Sequence, residues 1–198
     1  MSVMTLSQVR RSEGIKKRGR FAVPRFCGWD ALRDFYNKCP TDEVRGLFAV
    51  LFETGCRVSE ALELHRDMFV YDDDEWLTVF RAPVLKKKQN ATLGDRYRNI
   101  PILREEALFD PMMLYVESCE DRLFNKSRQW AWMNIVKTDE SWWCHRIRSE
   151  RATQLHNEYG YEVPELMKFF NWSEPKEALE YVKLDPQDLK NKTMKSLE

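Results

Sequence analysis

Long hydrophobic runs are missing from this 198-residue chain. The longest unbroken apolar stretch is Leu47 to Phe52, far short of the roughly 20 residues a bilayer span needs. No membrane partner is therefore expected. The amino terminus, MSVMTLSQVRR, lacks the apolar core of a secretory signal, which points to the cytoplasm. Glycine (7) and proline (8) are scarce, excluding a collagen-like chain and speaking against a mostly disordered one. Cys27, Cys39, Cys56, Cys119 and Cys144 show no CxxC or other zinc spacing. They read as reduced thiols, with Cys56 and Cys144 packed among apolar side chains. What is present, 43% hydrophobic and 32% charged residues, suffices for one well-filled core or two very small ones.

Equal numbers of basic and acidic residues, 32 of each, bring the net charge to zero, but the charges are not mixed. Arg10, Arg11, Lys16, Lys17, Arg18, Arg20 and Arg25 face a single acid, Glu13. Arg81, Lys86, Lys87, Lys88, Arg96, Arg98 and Arg104 form a second basic block around Asp95, and residues 42–75 between the blocks are acidic. Such blocks suit a protein with one face for a polyanion and another for water.

Residues 1–23 are basic and interrupted by Gly14 and Gly19, the pattern of an arm or linker. Ordered structure is expected over 24–185, followed by a tail, 186–198. Trp29, Leu32, Phe35 and Tyr36 fall at helical spacing, stopped by Cys39-Pro40. Thr41 caps a second helix, with Asp42 and Glu43 in its first turn; Thr54-Gly55 breaks it and Val58 to Leu64 begins a third. WLTVFRAPVL and RYRNIPIL, joined by KKKQNATLGD, read as an antiparallel pair, with a third short strand near Met68 to Tyr71. The rest reads as helices: one capped by Asp110 ahead of Pro111, one capped by Ser127, one over 142–159, Val163 to Phe170, and a last one from a Ser173 cap through Tyr181. The expected fold class is α+β, mainly helical, with a small three-stranded antiparallel sheet.

Taken singly, the polar residues of these helices have ordinary explanations. Arg57 can pair with Glu60 at i+3, His145 and Arg148 can decorate a helix surface, and Trp172 and Tyr181 can belong to a core. Their order along the chain is more specific. Thr54-Gly55-Cys56-Arg57-Val58-Ser59-Glu60-Ala61-Leu62-Glu63-Leu64 closely resembles the first arginine box, T-G-x-R-x-S-E-a-L-x-L, of tyrosine recombinases and phage-type integrases. Arg98-Asn99-Ile100-Pro101-Ile102 looks like the R-x-v-P-l strand that follows the family's basic hairpin. His145-Arg146-Ile147-Arg148 resembles the second box, H-x-L-R. Trp172 stands where the family has His or Trp, and Tyr181, nine residues on, stands at the nucleophile position. Two places depart from the pattern. Ser149-Glu150 replace the usual H-[TS] after the second arginine, and Phe170-Asn171-Trp172 replaces L-G-H, losing a glycine turn.

The resemblance implies a catalytic domain that breaks a phosphodiester through a covalent 3′-phosphotyrosine and rejoins it. The residue types suit that chemistry. A phenol with pKa ~10 is a poor nucleophile at neutral pH, so cations must favour its ionisation. Arg57 and Arg148 can each offer paired N–H donors to a scissile phosphate, His145 can accept the tyrosine proton or hold the phosphate, and Trp172 can donate from its indole N–H. A hairpin lysine is implied as the acid for the leaving 5′ oxygen: Lys86, the first after the apolar strand and the best anchored, with Lys88 on the same face in reserve, since alternate strand residues face opposite sides, and Lys87 the sign of a register slip. No metal, ATP or other cofactor is implied. The implied partner is double-stranded DNA, with self-association from dimer to tetramer on it and residues 186–198 docking on a neighbouring subunit. Two rival readings remain beside this one: a type IB topoisomerase, and a DNA-binding module derived from an integrase that no longer cuts.

Overall fold

A computed structural model describes residues 25–85 and 96–182. The expected arm at 1–23, the lysines of the hairpin tip (Lys86, Lys87 and Lys88) and the tail 186–198 lie outside the described residues.

The centre of the fold is α2 (Asp42–Thr54), preceded by α1 (Trp29–Lys38). Thr41 caps α2 by accepting the Val44 N–H at 3.3 Å, and Asp42 and Glu43 meet the positive end of the helix dipole. Every residue from Gly46 to Thr54 is buried, so neighbours pack on all sides of this helix. A Cβ at Gly46 would lie 2.2 Å from the Tyr115 ring, which is why the closest neighbour approaches there. At Gly55 the chain turns left-handed, with φ +57, the conformation in which a residue other than glycine is strained. The short α3 (Val58–Ala61) follows at once.

Three antiparallel strands come next, β1 (Phe69–Tyr71), β2 (Trp76–Pro83) and β3 (Tyr97–Leu103), in that spatial order. Leu77 pairs with Ile102 and Val79 with Ile100. Period-two alternation puts Leu77 and Val79 of β2, and Arg98, Ile100 and Ile102 of β3, on the buried face. A bulge between Val79 and Ala82 places Arg81 at φ 53. There the Asn99 side chain accepts its N–H at 3.0 Å, and the guanidinium lies 5.0 Å over the Tyr97 ring.

The remaining helices are α4 (Phe109–Ser118), α5 (Arg128–Thr138), α6 (Cys144–Asn157), α7 (Val163–Phe170) and α8 (Pro175–Leu179). Ser127 caps α5 through the Trp130 N–H at 3.1 Å. Several boundaries differ from the sequence expectation: α3 stops at Ala61, short of Leu64, α6 spans Cys144–Asn157 rather than 142–159, and two caps move. Leu108, not Asp110, caps α4, because the Leu108 N–H is drawn to the Glu53 carboxylate of α2 at 3.2 Å. Pro111 is still tolerated, since the first four N–H groups of a helix have no intrahelical acceptor. The last helix begins after Glu174 rather than Ser173 and ends at Leu179. Tyr181 sits just beyond it, in a turn closed by its N–H on the Ala178 carbonyl at 2.9 Å.

Candidate active site

Four elements converge where α2 ends. Arg57 stands at the start of α3, two residues past the Gly55 turn. The carboxylate of Glu60, one turn on, accepts both its backbone N–H at 3.0 Å and its Nη1 at 3.1 Å. Glu60 is buried while the Arg57 side chain still reaches solvent at 28% exposure. Arg98 arrives from the inner face of β3. Its Nη2 lies 3.8 Å from Glu60 and donates to Cys56 Sγ at 3.4 Å, its Nη1 donates to the Phe169 carbonyl, and its Nε has no hydrogen bond.

Arg148 arrives from α6 and is only 3% exposed. It donates from Nη1 to the Gly55 carbonyl and from Nη2 to the Phe170 carbonyl at 3.0 Å. The guanidinium lies 4.7 Å over the Phe170 ring and 5.7 Å from the Trp172 ring centre. Burial, together with the charges of Arg98 and Arg57, pushes its pKa down to about 9, which leaves it protonated at neutral pH. Phe169 and Phe170 end α7, so two guanidiniums grip the negative end of that helix.

Arg57 and Arg98 thus pair with one carboxylate, Glu60, and Arg148, close enough to feel its charge, adds a third guanidinium. Backbone carbonyls satisfy donors but do not cancel charge, and a cluster with surplus positive charge at partial exposure suits an anion. Each terminal nitrogen of Arg148 also carries a second hydrogen beyond the one its carbonyl takes. α6 adds to the field, because its start has no side-chain cap and no acid in its first turn. His145 lies in that first turn. Its ring reaches solvent, yet the surrounding protein desolvates it, and Arg148 and Arg57 repel a further positive charge, so its pKa falls below the usual histidine value. A neutral imidazole at pH 7 is able to accept a proton.

Trp172 and Tyr181 complete the constellation. Trp172 stacks on Phe170 with centroids 4.6 Å apart, and Tyr181 stacks on Trp172 at 5.4 Å with planes 6° apart. The expected site residues Arg57, His145, Arg148, Trp172 and Tyr181 thus come together, while Lys86 lies outside the described residues. The Tyr181 hydroxyl meets Ser149 Oγ at 3.1 Å. Burial raises its pKa, against which the Ser149 hydrogen bond and the Arg148 charge act in the opposite direction.

Both departures from the motif have physical substitutes. Asn171 adopts the left-handed conformation, φ 50, that a glycine would supply, which asparagine tolerates better than most residues. Ser149 holds the tyrosine, and Glu150 is buried with its carboxylate on the Cys27 N–H at 3.0 Å and Arg146 Nε at 3.3 Å. Sequence reasoning missed Arg98 as a third guanidinium, although its place in the Arg98, Ile100, Ile102 alternation was a signal that it faces inward. For Ser149 nothing in the sequence signalled a contact, because its partner is 32 residues away.

No protein-family model and no curated protein matches the sequence. Solved structures do match. XerH site-specific recombinase bound to palindromic difH substrate in a post-cleavage complex aligns at a TM-score of 0.59 and 18% identity, over 93% of this chain and 57% of that one. The Tn1549 transposon integrase in complex with circular intermediate DNA aligns at 0.59 and 15%, over 86% and 66%. The catalytic domain of bacteriophage HP1 integrase aligns at 0.57 and 16%, over 86% and 94%. This is the fold of the tyrosine-recombinase catalytic domain. The chain spans 52% to 66% of the XerH and Tn1549 integrase chains that it matches, and nearly the whole of the phage catalytic domain. Among the described residues no helix is long and apolar enough to cross a membrane, and none of their His, Cys, Asp and Glu side chains form a group of three or more that could hold a metal ion.

Proposed function

We propose that this chain is the catalytic domain of a site-specific DNA recombinase or integrase that binds double-stranded DNA and cuts and rejoins its strands through Tyr181. The observation that carries the reading is the surplus-positive guanidinium cluster (Arg57, Arg98 and Arg148 around Glu60) reaching Tyr181 through the Trp172 stack. The Tyr181 oxygen attacks the scissile phosphorus, a new P–O bond forms, and the bond from phosphorus to the 5′ oxygen breaks. The phenolic proton passes to His145, and Lys86 supplies a proton to the leaving 5′ oxygen. Arg57 and Arg148 hold the non-bridging oxygens as negative charge gathers on them, and Trp172 walls the site and donates from its indole nitrogen. Residues 24–185 make up this domain, residues 1–23 lead into it as a basic arm, and residues 186–198 join neighbouring subunits on DNA.

The test is a nicked suicide substrate, from which the cut fragment diffuses away and traps the covalent adduct. The wild-type chain yields a DNA-linked protein, and Tyr181→Phe yields none while binding DNA nearly as well. A chain that binds DNA but never becomes linked to it is a non-catalytic module, and relaxation of supercoils without site preference marks a topoisomerase. Lys86→Ala slows cleavage of a normal strand and spares one with a 5′-bridging sulfur, which leaves without a proton. Truncation after Asp185 leaves single-strand cleavage intact and weakens assembly of two or four subunits on paired sites.

A further inference from the structure

Tyr181 is held on two sides by groups of different kinds. The Trp172 stack, with planes only 6° apart, fixes the plane of the phenol but not the position of its oxygen within that plane. The Ser149 hydroxyl, 3.1 Å from that oxygen, fixes the second coordinate. Ser149 is placed by a regular helix directly after Arg148, and its turn is tied by the Thr153 hydroxyl donating to the Ser149 carbonyl at 2.9 Å. The serine oxygen is therefore a rigid reference point beside the anion-binding arginine.

We propose that Ser149 is a positioning residue for Tyr181, orienting the phenol while it is neutral and donating its own hydrogen to the oxygen as that oxygen becomes anionic. The inference rests on Tyr181 being the nucleophile. A hydroxyl suits both stages because it both accepts and donates: it accepts from the phenol at rest and rotates its proton toward a phenolate. Charged groups also act on the tyrosine from each neighbouring element. Arg148 of α6 favours ionisation, while Glu177 of α8 and Glu180 in the turn after it oppose it, as does burial. Ser149 is the neutral group among them that touches the oxygen directly, so its effect can be separated from theirs by a substitution that changes no charge.

The experiment places 3-fluorotyrosine at position 181 in the full chain and follows its fluorine resonance against pH. In Ser149→Ala the fluorophenol titrates about half to one pH unit higher, the equivalent of one neutral hydrogen bond. In Ser149→Thr, which keeps the hydroxyl, it returns to the unsubstituted value. The pH profile of single-turnover cleavage moves alkaline with the titration in Ser149→Ala, about three- to tenfold slower at neutral pH, with DNA affinity unchanged. A fluorophenol that titrates identically in wild type and Ser149→Ala overturns the proposal, and so does a Thr variant that behaves like Ala. A titration that shifts as expected in a chain that never links to DNA leaves the contact standing and removes the recombinase reading instead.

Discussion

Helix α6 supplies one arginine to each of two charged clusters of opposite balance, Arg148 to the first and Arg151 to the second. In the first, Arg57 and Arg98 pair with Glu60, and Arg148 adds a third guanidinium beside them. One turn further along α6, Arg151 lies between Glu53 at 3.7 Å and Glu106 at 2.7 Å, and Gln154 bridges Arg151 and Glu106. The first cluster has too few carboxylates and the second too many. The second is closed to solvent, with Glu53, Arg151 and Gln154 at 0–1% exposure, and it answers its own imbalance. Burial, and to a lesser degree Glu106, raise the Glu53 pKa to about 8 although Arg151 pulls the other way. Glu53 is therefore the group of this cluster that can take up a proton and relieve its surplus negative charge. The first cluster has no such remedy, because guanidiniums do not give up protons near neutral pH. An anion from outside the chain would balance it. Imbalance that a proton can correct is a packing device; imbalance that only a ligand can correct marks a binding site.

The largest effect should come from breaking the first cluster without removing its charge. Arg148→Lys keeps a cation but loses the fork that reaches Gly55 and Phe170, so single-turnover cleavage of a suicide substrate should fall about two to three orders of magnitude. Equal cleavage in this variant would mean that charge alone suffices. The second cluster should respond in stability. Arg151→Leu leaves Glu53 and Glu106 facing each other without a counter-ion, costing about 3–5 kcal/mol in urea unfolding at pH 8, and visibly less at pH 5, where carboxyls can be protonated.

A smaller effect is expected at the turn that closes α2. Gly55→Ala puts a side chain into a left-handed position, with its Cβ 2.5 Å from Phe170. About 1–2 kcal/mol of backbone strain plus the displaced ring should lower the melting temperature. Because the Gly55 carbonyl holds Arg148, cleavage should fall too. The smallest effect is the pH dependence of the second cluster. Glu53 has a folded pKa above its unfolded one, so its contribution is complete below the ordinary carboxylate range and is lost as pH rises from there through about 8. Glu53→Gln should flatten this part of the stability profile, and its denaturation midpoint should match or exceed wild type at pH 9. A profile equally steep in Glu53→Gln would place the titration elsewhere.

Local signals were legible wherever neighbours in sequence are neighbours in space. The Thr41 and Ser127 caps, the Gly55 break, the span Val163–Phe170 and the period-two alternation of the strands all depend on contacts within a few residues. The start of α4 and the end of α8 were misread because a distant carboxylate, Glu53, and a turn closed on Ala178 compete with the local preference. Arg57, His145, Arg148, Trp172 and Tyr181 stood out through their order along the chain, which no single pairwise contact explains. What the sequence by itself determined was the inventory and the spacing: which residues can cap, which alternate inward, and which bear donors at helical intervals. Only the tertiary structure decided the partners of each charge. It gave Arg98 and Arg148 the carbonyls at the end of α7, gave Ser149 to Tyr181, and left one cluster positive and the other able to neutralise itself. The reason is that charge balance in a protein interior is set by which distant segments share a few ångströms of low-dielectric space, and a linear order of residues does not contain that distance.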